Sequence, residues 1–310
     1  MKASVILVTR NRAADLQKTF RSLADVVVPP GLETELLVVD NASTDQTPAV
    51  IKNSRFETFR FRSVREEKPG KANGCNRALA ESSGDVIVFV DDDVRVPSQW
   101  LSAMVEPIVA GKASAVAGGV VLAPALVRPW MTPLHRSYLA STEWMRPEAP
   151  HSLVGANMAF SRDVLRRVPG FDPELGPGAL GFGEEELFAS QLLGAGYRIF
   201  SCLHVEVEHH FDASRLKRAS WLSSAAKRGE VNAYLTYHWQ HRGYRLAWAR
   251  QMALRAQLSS WRLRHGPAFP DEGCAERELW LLYRIAELRF FSKMRNCPRH
   301  YQDHGLVRLS

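Results

Sequence analysis

Short apolar runs that each end in polar residues recur in the first third of the chain and constrain its fold most. Residues 3–8 (ASVILV) lead into TRNR, residues 36–39 (LLVV) into DNASTD, and residues 86–90 (VIVFV) into three aspartates. Helical patterns lie between the runs, as in residues 16–23, where apolar residues recur at spacings of four and three. Continuous apolar strands that alternate with helices predict an α/β fold with a mostly parallel, Rossmann-like sheet flanked by helices.

The remaining pattern divides the chain into a catalytic part and an extension. We expect further strands at 59–64, 115–122, 152–162 and 198–210, a glycine-flanked loop and helix within 70–85, helices at 46–54, 100–110 and 187–198, a helix after residue 162, and an irregular or mobile loop at 124–151. The predicted domains are 1–213, with halves 1–95 and 96–213, and a mostly helical extension (214–310).

The positive charge of the chain is concentrated in this extension. Residues 214–310 contain 18 Lys and Arg against 7 Asp and Glu, whereas the 310-residue chain as a whole carries +7. Five tryptophans are interleaved with these arginines, but residues 244–264 present no clean apolar helix face. The extension is therefore expected to pack on the catalytic part, to form a dimer contact, or to attach to an anionic membrane surface or a lipid-diphosphate acceptor. No motif supports nucleic-acid binding.

The location of the protein is predicted from three absences in the sequence. The N-terminal residues MKASVILVTRNR do not form a signal peptide, and no apolar run reaches the length of a transmembrane helix. The four cysteines have no CxxC spacing, which favours a reducing compartment over a disulfide framework. We expect a cytoplasmic protein, with peripheral contact to the inner face of the plasma membrane as an open alternative. Its oligomeric state is left open.

Three consecutive acids, Asp91, Asp92 and Asp93, follow the buried run 86–90. Like charges at the end of a buried strand need a counter-charge, which Mg²⁺ or Mn²⁺ supplies by accepting oxygen ligands. Such a cation also binds substrate phosphates. A solvated turn with capping aspartates is the alternative, but ligands bind beyond the carboxyl ends of strands in such sheets, and this position favours the metal site.

Other polar residues near the predicted strand ends suit a nucleotide. Asp40 can accept a hydrogen bond from a ribose hydroxyl or a base N–H, while Ser43 and Asp45 suit helix caps. Lys71 at a predicted helix start suits phosphate, although a solvated lysine is equally consistent with the sequence. The predicted nucleotide-binding residues also include Thr9, Arg10, Asn11 and Asn41.

A second acidic centre, Glu184, Glu185 and Glu186, follows a glycine-rich loop and opens a predicted helix. Acids at a helix N-terminus are stabilised by the helix dipole, and helix capping explains one of the three. Three acids opposite a metal–phosphate site suggest a general base. Either His209 or His210, at the end of a predicted strand, is a candidate metal ligand.

Taken together, these motifs resemble the inverting family-2 glycosyltransferases of the GT-A fold, over about residues 3–212. The motifs occur in the order VILVTRNRAADL, LLVVDNASTD, GKANGCNRAL, VIVFVDDDVRVP, VGANMAFSR, GFDPELGPGALGFGEEE, GAGYRIF and the histidine pair. The resemblance implies that Asp93 ligates the metal, that Asp91 faces the ribose or the metal, and that His209, with His210 as second choice, completes the metal site. It implies nucleotide contacts for Thr9, Arg12, Asp40 and Asp92, and an acceptor or sugar pocket formed by Asn157, Gly183 and Glu186.

The resemblance further implies an inverting reaction. Glu185 aligns with the family's catalytic aspartate, so it is the expected base, with Glu184 or Glu186 as alternatives because glutamate has a longer reach. The base deprotonates an acceptor hydroxyl, which attacks the anomeric carbon of a nucleotide-diphosphate sugar, with UDP-sugars favoured. The acceptor is expected to be a saccharide or lipid-linked molecule in cell-surface polysaccharide or glycolipid assembly. The alternatives are a sugar-phosphate nucleotidyltransferase, disfavoured by TRNRA after the first strand, and a non-catalytic nucleotide-sugar-binding module.

Overall fold

In the computed structural model, residues 1–148, 152–265 and 271–309 are described, and these residues form an eight-stranded sheet. The strands, in chain order, are β1 (Lys2–Thr9), β2 (Glu33–Asp40), β3 (Arg60–Arg65), β4 (Val86–Asp91), β5 (Val94–Arg95), β6 (Ala115–Leu122), β7 (Asn157–Ser161) and β8 (Ile199–His209). Their order across the sheet is β3-β2-β1-β4-β7-β6-β8-β5.

The α-helices lie between and after these strands. They are α1 (Ala13–Ala24), α2 (Thr47–Asn53), α3 (Lys71–Glu81), α4 (Trp100–Val109), α5 (Pro133–Tyr138), α6 (Glu184–Gly194), α7 (Arg218–Tyr234), α8 (Ala247–His265) and α9 (Glu276–Met294). Short 3₁₀ helices occur at Pro124–Leu126, Arg162–Arg166 and Ala213–Leu216, and a π-helical turn at Leu235–Trp239 follows α7.

The strand directions bring the polar strand ends together. Strands β1 to β4 pair in parallel, β7 runs antiparallel to both β4 and β6, and β8 is parallel to β6. Strands β1 to β4, β6 and β8 therefore point the same way, and their carboxyl ends share one edge of the sheet. The predicted α/β architecture with a flanked, largely parallel sheet is confirmed.

Alternating side chains of the buried strands form two apolar layers. On β1, Val5 and Leu7 face the layer that includes α1 and α4, while Ile6 faces the layer that includes α3 and α6. Because both faces are covered, the strand is apolar at every central position rather than at every second one. The sheet is thus the rigid base from which the strand-end residues project.

The loop predicted at 124–151 is more ordered than expected. It contains the 3₁₀ helix Pro124–Leu126 and helix α5, whose N-cap Thr132 and third residue His135 hydrogen-bond each other in a capping box. Residues 149–151 of the predicted loop lie outside the described residues. The helix expected after residue 162 is a single 3₁₀ segment, and α6 begins at Glu184 rather than at residue 187.

The predicted helical character of the extension is confirmed. Helix α7 packs along α9, which in turn packs against α8. Only Gln251 and Leu258 of α8 are buried, so most of that helix surface faces solvent. No helix within the described parts of the chain combines the length and apolar character that crossing a membrane requires.

Candidate active site

Lys71 connects the two acidic centres. Its Nζ lies 2.8 Å from Asp91 Oδ1 and 3.5 Å from Glu185 Oε1. The first turn of α3 is held in place because the Lys71 backbone N–H donates to Pro177 O at 2.8 Å. Burial lowers the pKa of the Lys71 ammonium, but the neighbouring carboxylates outweigh this and raise it well above its usual value. Lys71 is therefore a fixed cation in the crevice, not a solvated surface lysine.

Asp92 points into the protein. Its Oδ2 accepts a 2.6 Å hydrogen bond from the Thr9 hydroxyl, and the residue is 9% exposed. Burial and the adjacent Asp93 charge raise the pKa of Asp92 to about 7. The nucleotide contacts predicted for Thr9 and Asp92 are therefore replaced by a contact between these two residues, which anchors the acidic turn to the end of β1.

Asp93 is held between two cationic or potentially cationic side chains. Its Oδ2 lies 3.0 Å from Arg12 Nη1, and its Oδ1 lies 3.4 Å from His209 Nε2. Burial alone would raise the pKa of Asp93, but the His209 hydrogen bond and the charges of His209 and Arg12 lower it overall. Asp93 is therefore a carboxylate at neutral pH.

The ring of His209 is oriented as that of a metal ligand would be. Its Nδ1 lies 2.8 Å from Leu139 O, and a carbonyl oxygen can only accept, so Nδ1 carries a hydrogen. This leaves Nε2 facing Asp93, and a backbone carbonyl on the other ring nitrogen is the usual support of a metal-binding histidine. His210 instead contacts Glu208 at 3.1 Å, so His209 is the residue that reaches the acidic turn.

Asp93 and His209 fit a shared divalent cation in their chemistry. Metal–ligand bonds of about 2.1 Å place adjacent ligands about 3 Å apart, close to the 3.4 Å between Asp93 Oδ1 and His209 Nε2. Asp91 is not with them, because its carboxylate contacts Lys71. Across the described ranges, no group of three or more His, Cys, Asp or Glu side chains is arranged to hold a metal ion. The predicted three-residue ligand set is therefore only partly brought together.

The predicted nucleotide residues at the end of β2 have different surroundings. Asp40 Oδ2 lies 2.9 Å from Arg65 Nη1, and its Oδ1 accepts from the Ser43 N–H at 3.0 Å. The Asn41 amide donates to Lys68 O at 2.7 Å and accepts from the Gly70 N–H at 2.8 Å. Asn41 is thus occupied in holding the loop before α3, which corrects its predicted role as a nucleotide contact.

The turn after β1 is exposed at Arg10 and Asn11. Asn11 has φ +53°, and its side-chain oxygen accepts from the Thr44 N–H at 2.7 Å, while its own N–H donates to Ser43 Oγ at 3.0 Å. Asn11 therefore ties the β1 and β2 turns to each other. Arg10 is left as the exposed cation of this turn.

The three glutamates at the start of α6 have different environments. Glu184 is 2% exposed, and its Oε2 is enclosed without a hydrogen-bond partner. Burial, reinforced by the charge of Glu185, raises the pKa of Glu184 well above its usual range. Because the Glu184 carboxyl group is enclosed, an acceptor hydroxyl in the crevice does not reach it, which disfavours Glu184 as the base.

Glu185 is the glutamate that faces the crevice. Its Oε1 accepts from the Gly155 N–H at 3.2 Å, and its side chain is 18% exposed. Glu186 is exposed, and its charge acts on Arg228 and Tyr283 of the extension. Of the three, Glu185 therefore lies on the same side as Lys71 and Asp91.

Two predicted pocket residues belong to the protein interior. Asn157 is fully buried: its Oδ1 accepts from Trp100 Nε1 at 2.8 Å, and its amide donates to Gly119 O and Val205 O, each at 2.8 Å. All of its hydrogen-bonding capacity is directed at the sheet and α4, so Asn157 cannot line an acceptor or sugar pocket. Gly183, at φ +95°, likewise forms the buried turn that begins α6.

Two arginines of the extension lie near the crevice and were not among the predicted site residues. Arg215 Nη2 donates to Tyr138 O at 3.2 Å, and the guanidinium of Arg228 lies 4.2 Å from the centre of the Tyr138 ring. The charge of Asp93 acts on Arg215, and that of Glu185 on Arg228. The concentration of positive charge after residue 213 was the available signal, but nothing in it indicated which arginines turn toward the crevice.

The family comparison decides the assignment of the chain. The sequence model of Glycosyl transferase family 2 matches residues 4–168, which is more than half of the chain. The chain belongs to glycosyltransferase family 2. Among solved structures, this family-2 chain is similar to the mannosyltransferase PcManGT from Pyrobaculum calidifontis in complex with GDP-Man and Mn²⁺. That likeness, with a TM-score of 0.56 and 19% identity over 96% of this chain and 75% of the other, concerns the fold alone.

Curated relatives of the family-2 chain match it over shorter stretches. It is 33% identical to the glucosyl-3-phosphoglycerate synthase of Mycobacterium tuberculosis over 114 residues, 35% of this chain and 34% of the relative. The synthase of Mycolicibacterium paratuberculosis is 30% identical over 196 residues, 53% of this chain and 56% of the relative. The chain thus spans between about a third and just over half of the length of these relatives.

Proposed function

We propose that this family-2 chain transfers a sugar, with inversion, from a nucleotide-diphosphate sugar to an acceptor hydroxyl. The observation that carries the proposal is the Lys71 ammonium, which lies between Asp91 at the end of β4 and Glu185 at the start of α6. The ammonium can contact a diphosphate, and the neighbouring Glu185 carboxylate can accept a proton. The crevice therefore contains one group for the leaving diphosphate and one for the proton of the acceptor hydroxyl.

Different residues of the chain act on the acceptor and on the donor. Glu185 takes the proton of the acceptor hydroxyl, and the oxygen bonds to the anomeric carbon as the bond from that carbon to the diphosphate breaks on the opposite face. Asp40, paired with Arg65, is the proposed contact for the base or ribose, and Arg10, Arg12 and Lys71 provide positive charge for the diphosphate. Asp93 and His209 would hold a divalent cation, which would supply positive charge against the departing diphosphate.

The donor and the cation are proposed from chemistry and from relatives. Imidazole suits transition metals and carboxylate suits Mn²⁺ and Mg²⁺, so the pair Asp93 and His209 favours Mn²⁺ over Mg²⁺. The Staphylococcus aureus structures of TarS with UDP and with UDP-GlcNAc support a UDP-sugar, and the PcManGT complex keeps GDP-sugars as a second choice. Relatives named for succinoglycan and glucosyldiacylglycerol synthesis support a saccharide or lipid-linked acceptor in polysaccharide or glycolipid assembly.

We also propose a division of the chain and a membrane contact. Residues 1–213 would form the catalytic unit, with 1–95 holding the nucleotide and 96–213 the acceptor, and 214–310 would complete the crevice. Helix α8 supports peripheral attachment to an anionic membrane surface. Trp248 is 73% exposed and Leu263 is 84% exposed, and residues 231–265 contain no Asp or Glu beside six arginines. Apolar side chains with adjacent cations are the combination that such surfaces bind.

Nucleotide release from a panel of nucleotide-sugars tests the proposed activity. The chain is incubated with UDP-, GDP- and dTDP-sugars and Mn²⁺, and a coupled phosphatase reports the freed nucleoside diphosphate. We expect release with at least one donor, loss of release in Glu185→Gln, and no change in Glu186→Gln. Pyrophosphate-dependent exchange without diphosphate release would support a nucleotidyltransferase, and binding without release would support a non-catalytic module.

A further inference from the structure

We propose that the acceptor carries an anionic group, a phosphate or carboxylate, and that Arg228 of α7 is the main residue that binds it, assisted by Arg215. The inference rests on the proposed glycosyl transfer, because it assigns the acceptor side of the same crevice. It goes beyond that function by naming the charge of the acceptor and the part of the chain that recognises it.

Helix α7 packs directly on the glycine-rich loop that leads into α6, the helix that carries the base. A Cβ on Gly181 would lie 2.9 Å from Lys227 Cδ, and a Cβ on Gly183 would lie 2.5 Å from Val231 Cγ1. Both glycines also have positive φ, +99° and +95°, which glycine adopts without strain. The glycine-rich loop thus lets one face of α7 approach the first turn of α6 closely.

Arg228 occupies this contact between the loop and α5. Its guanidinium carbon lies 4.2 Å from the ring centre of Tyr138 and 5.0 Å from that of Phe182, two residues before Glu184. Nη2 donates to Ser137 O at 2.8 Å, whereas Nε is enclosed and has no hydrogen-bond partner. Two aromatic rings and one carbonyl therefore fix the direction of a guanidinium whose donors are not all used.

Carbonyl oxygens and aromatic rings hold both arginines. Within the part of the chain that the structure describes, neither Arg228 nor Arg215 forms an ion pair within 4.0 Å. Burial lowers the pKa of both guanidinium groups, and the charges of Arg12 and Arg228 lower that of Arg215 further. Partly desolvated cations without a carboxylate in direct contact are unfavourable, and a bound anion reduces this penalty.

The two arginines lie near different carboxylates. The carboxylates whose charge acts on Arg228 are Glu186 and Glu185, at the base, whereas those that act on Arg215 are Asp93 and Asp91, at the strand end. The acceptor hydroxyl must reach Glu185, and Lys71 beside that residue also pairs with Asp91 at the strand end. Arg228 has no strand-end acid among the carboxylates that act on it, so it lies on the acceptor side of Glu185. Arg228 is therefore assigned to the acceptor, with Arg215 extending the positive surface toward the donor.

Sulfate, a tetrahedral dianion compatible with Mn²⁺, is the probe. Its dissociation constant is measured from thermal shifts of the full chain saturated with UDP and Mn²⁺, against chloride at equal ionic strength. We expect sulfate to stabilise the UDP-bound protein, and Arg228→Met to weaken sulfate binding about tenfold or more, the effect of losing a charge-assisted hydrogen bond. Arg228→Lys should restore part of the affinity, and Arg277→Met, an exposed arginine of α9, should leave it unchanged.

Two results overturn the inference. The first is competition between sulfate and UDP, which would assign the arginines to the donor diphosphate. The second is equal sulfate affinity in wild type and Arg228→Met. If Arg228→Met does not fold, Arg215→Met replaces it, with a smaller loss of sulfate affinity expected and no loss overturning the inference. UDP binding is recorded in the same samples without sulfate. Absence of binding of UDP, and of GDP in parallel samples, contradicts the proposed function, whereas sulfate effects report on the arginines, so the two failures are distinguishable.

Discussion

Lys71 Nζ and Glu185 Oε1 lie 3.5 Å apart although 114 residues separate them in the chain. The same ammonium contacts Asp91 at 2.8 Å, so it screens two acidic centres from each other. Without it, the carboxylates of Asp91 and Glu185 would face each other with no cation between them. Lys71 therefore stabilises the site itself, in addition to any contact that it makes with a phosphate.

Replacing Lys71 by Met should destabilise the fold and impair turnover. The carboxylates left behind repel each other, and because all three side chains keep some solvent contact, we expect a loss of about 2 kcal/mol rather than the larger value of a fully buried pair. Urea unfolding at pH 7 measures this loss. Lys68→Met, an exposed lysine three residues earlier, is the matched control and should change little. Equal stability of the two variants would contradict the bridging role.

Glutamine variants of the three glutamates should differ clearly in activity. Glu185→Gln should lower the turnover number about 10²- to 10⁴-fold, since a positioned base is lost, while donor affinity is retained. Glu184→Gln should keep turnover because that carboxyl group is enclosed, and Glu186→Gln should keep it because its side chain faces the extension. The measurement is nucleotide release at saturating donor. If Glu184→Gln is the inactive variant, the base has been assigned to the wrong glutamate.

Glu184 should also make stability depend on pH. The folded pKa is raised above the unfolded value, so the folded state holds its proton where the unfolded state releases it. The stability from this group is complete below about pH 4 and declines as the pH rises through neutrality. Glu184→Gln lacks this decline, so its stability relative to wild type should improve from pH 4 to pH 8. A constant difference in the free energy of unfolding across this range would argue against a protonated Glu184.

The exposed face of α8 should determine membrane binding. Trp248→Ser and Leu263→Ser should each reduce co-sedimentation with anionic phosphatidylserine vesicles, because each removes an exposed apolar side chain. Binding should also weaken as salt is added, since the adjacent arginines act through screened charge. Trp280→Ser on α9 is the control. Sedimentation that does not differ between Trp248→Ser and Trp280→Ser would remove α8 as the attachment surface.

The sequence predicted the sheet and the acidic strand end because both depend on local patterns. A buried run such as residues 86–90 indicates a strand, and parallel strands bring their carboxyl ends to one edge. The pattern could not say which way each polar side chain turns. Asn157 lies in a polar-looking motif but hydrogen-bonds Trp100 in the core, a contact between residues 57 positions apart. Only tertiary packing decides between an interior and a pocket position for such a residue.

The contribution of the extension was also beyond sequence reasoning. Arg228 differs from the many solvent-facing arginines only in its packing against Tyr138 and Phe182. Those rings come from α5, which was predicted as irregular, and from the glycine-rich loop. Lys71 and Glu185 were each singled out, but their contact depends on α3 and α6 meeting across the sheet edge. Long-range contacts of this kind carry no periodic signal.

The most direct test is the effect of Mn²⁺ on UDP and GDP affinity in wild type and Asp93→Asn, measured by titration calorimetry. The account predicts that Mn²⁺ tightens binding of at least one of these nucleotides to the wild type about tenfold or more, about 1.4 kcal/mol, relative to a metal-free sample. Asp93→Asn should bind equally weakly with and without Mn²⁺. If Asp93→Asn retained the full Mn²⁺-dependent gain, the acidic turn after β4 would not be the place where cation and diphosphate meet.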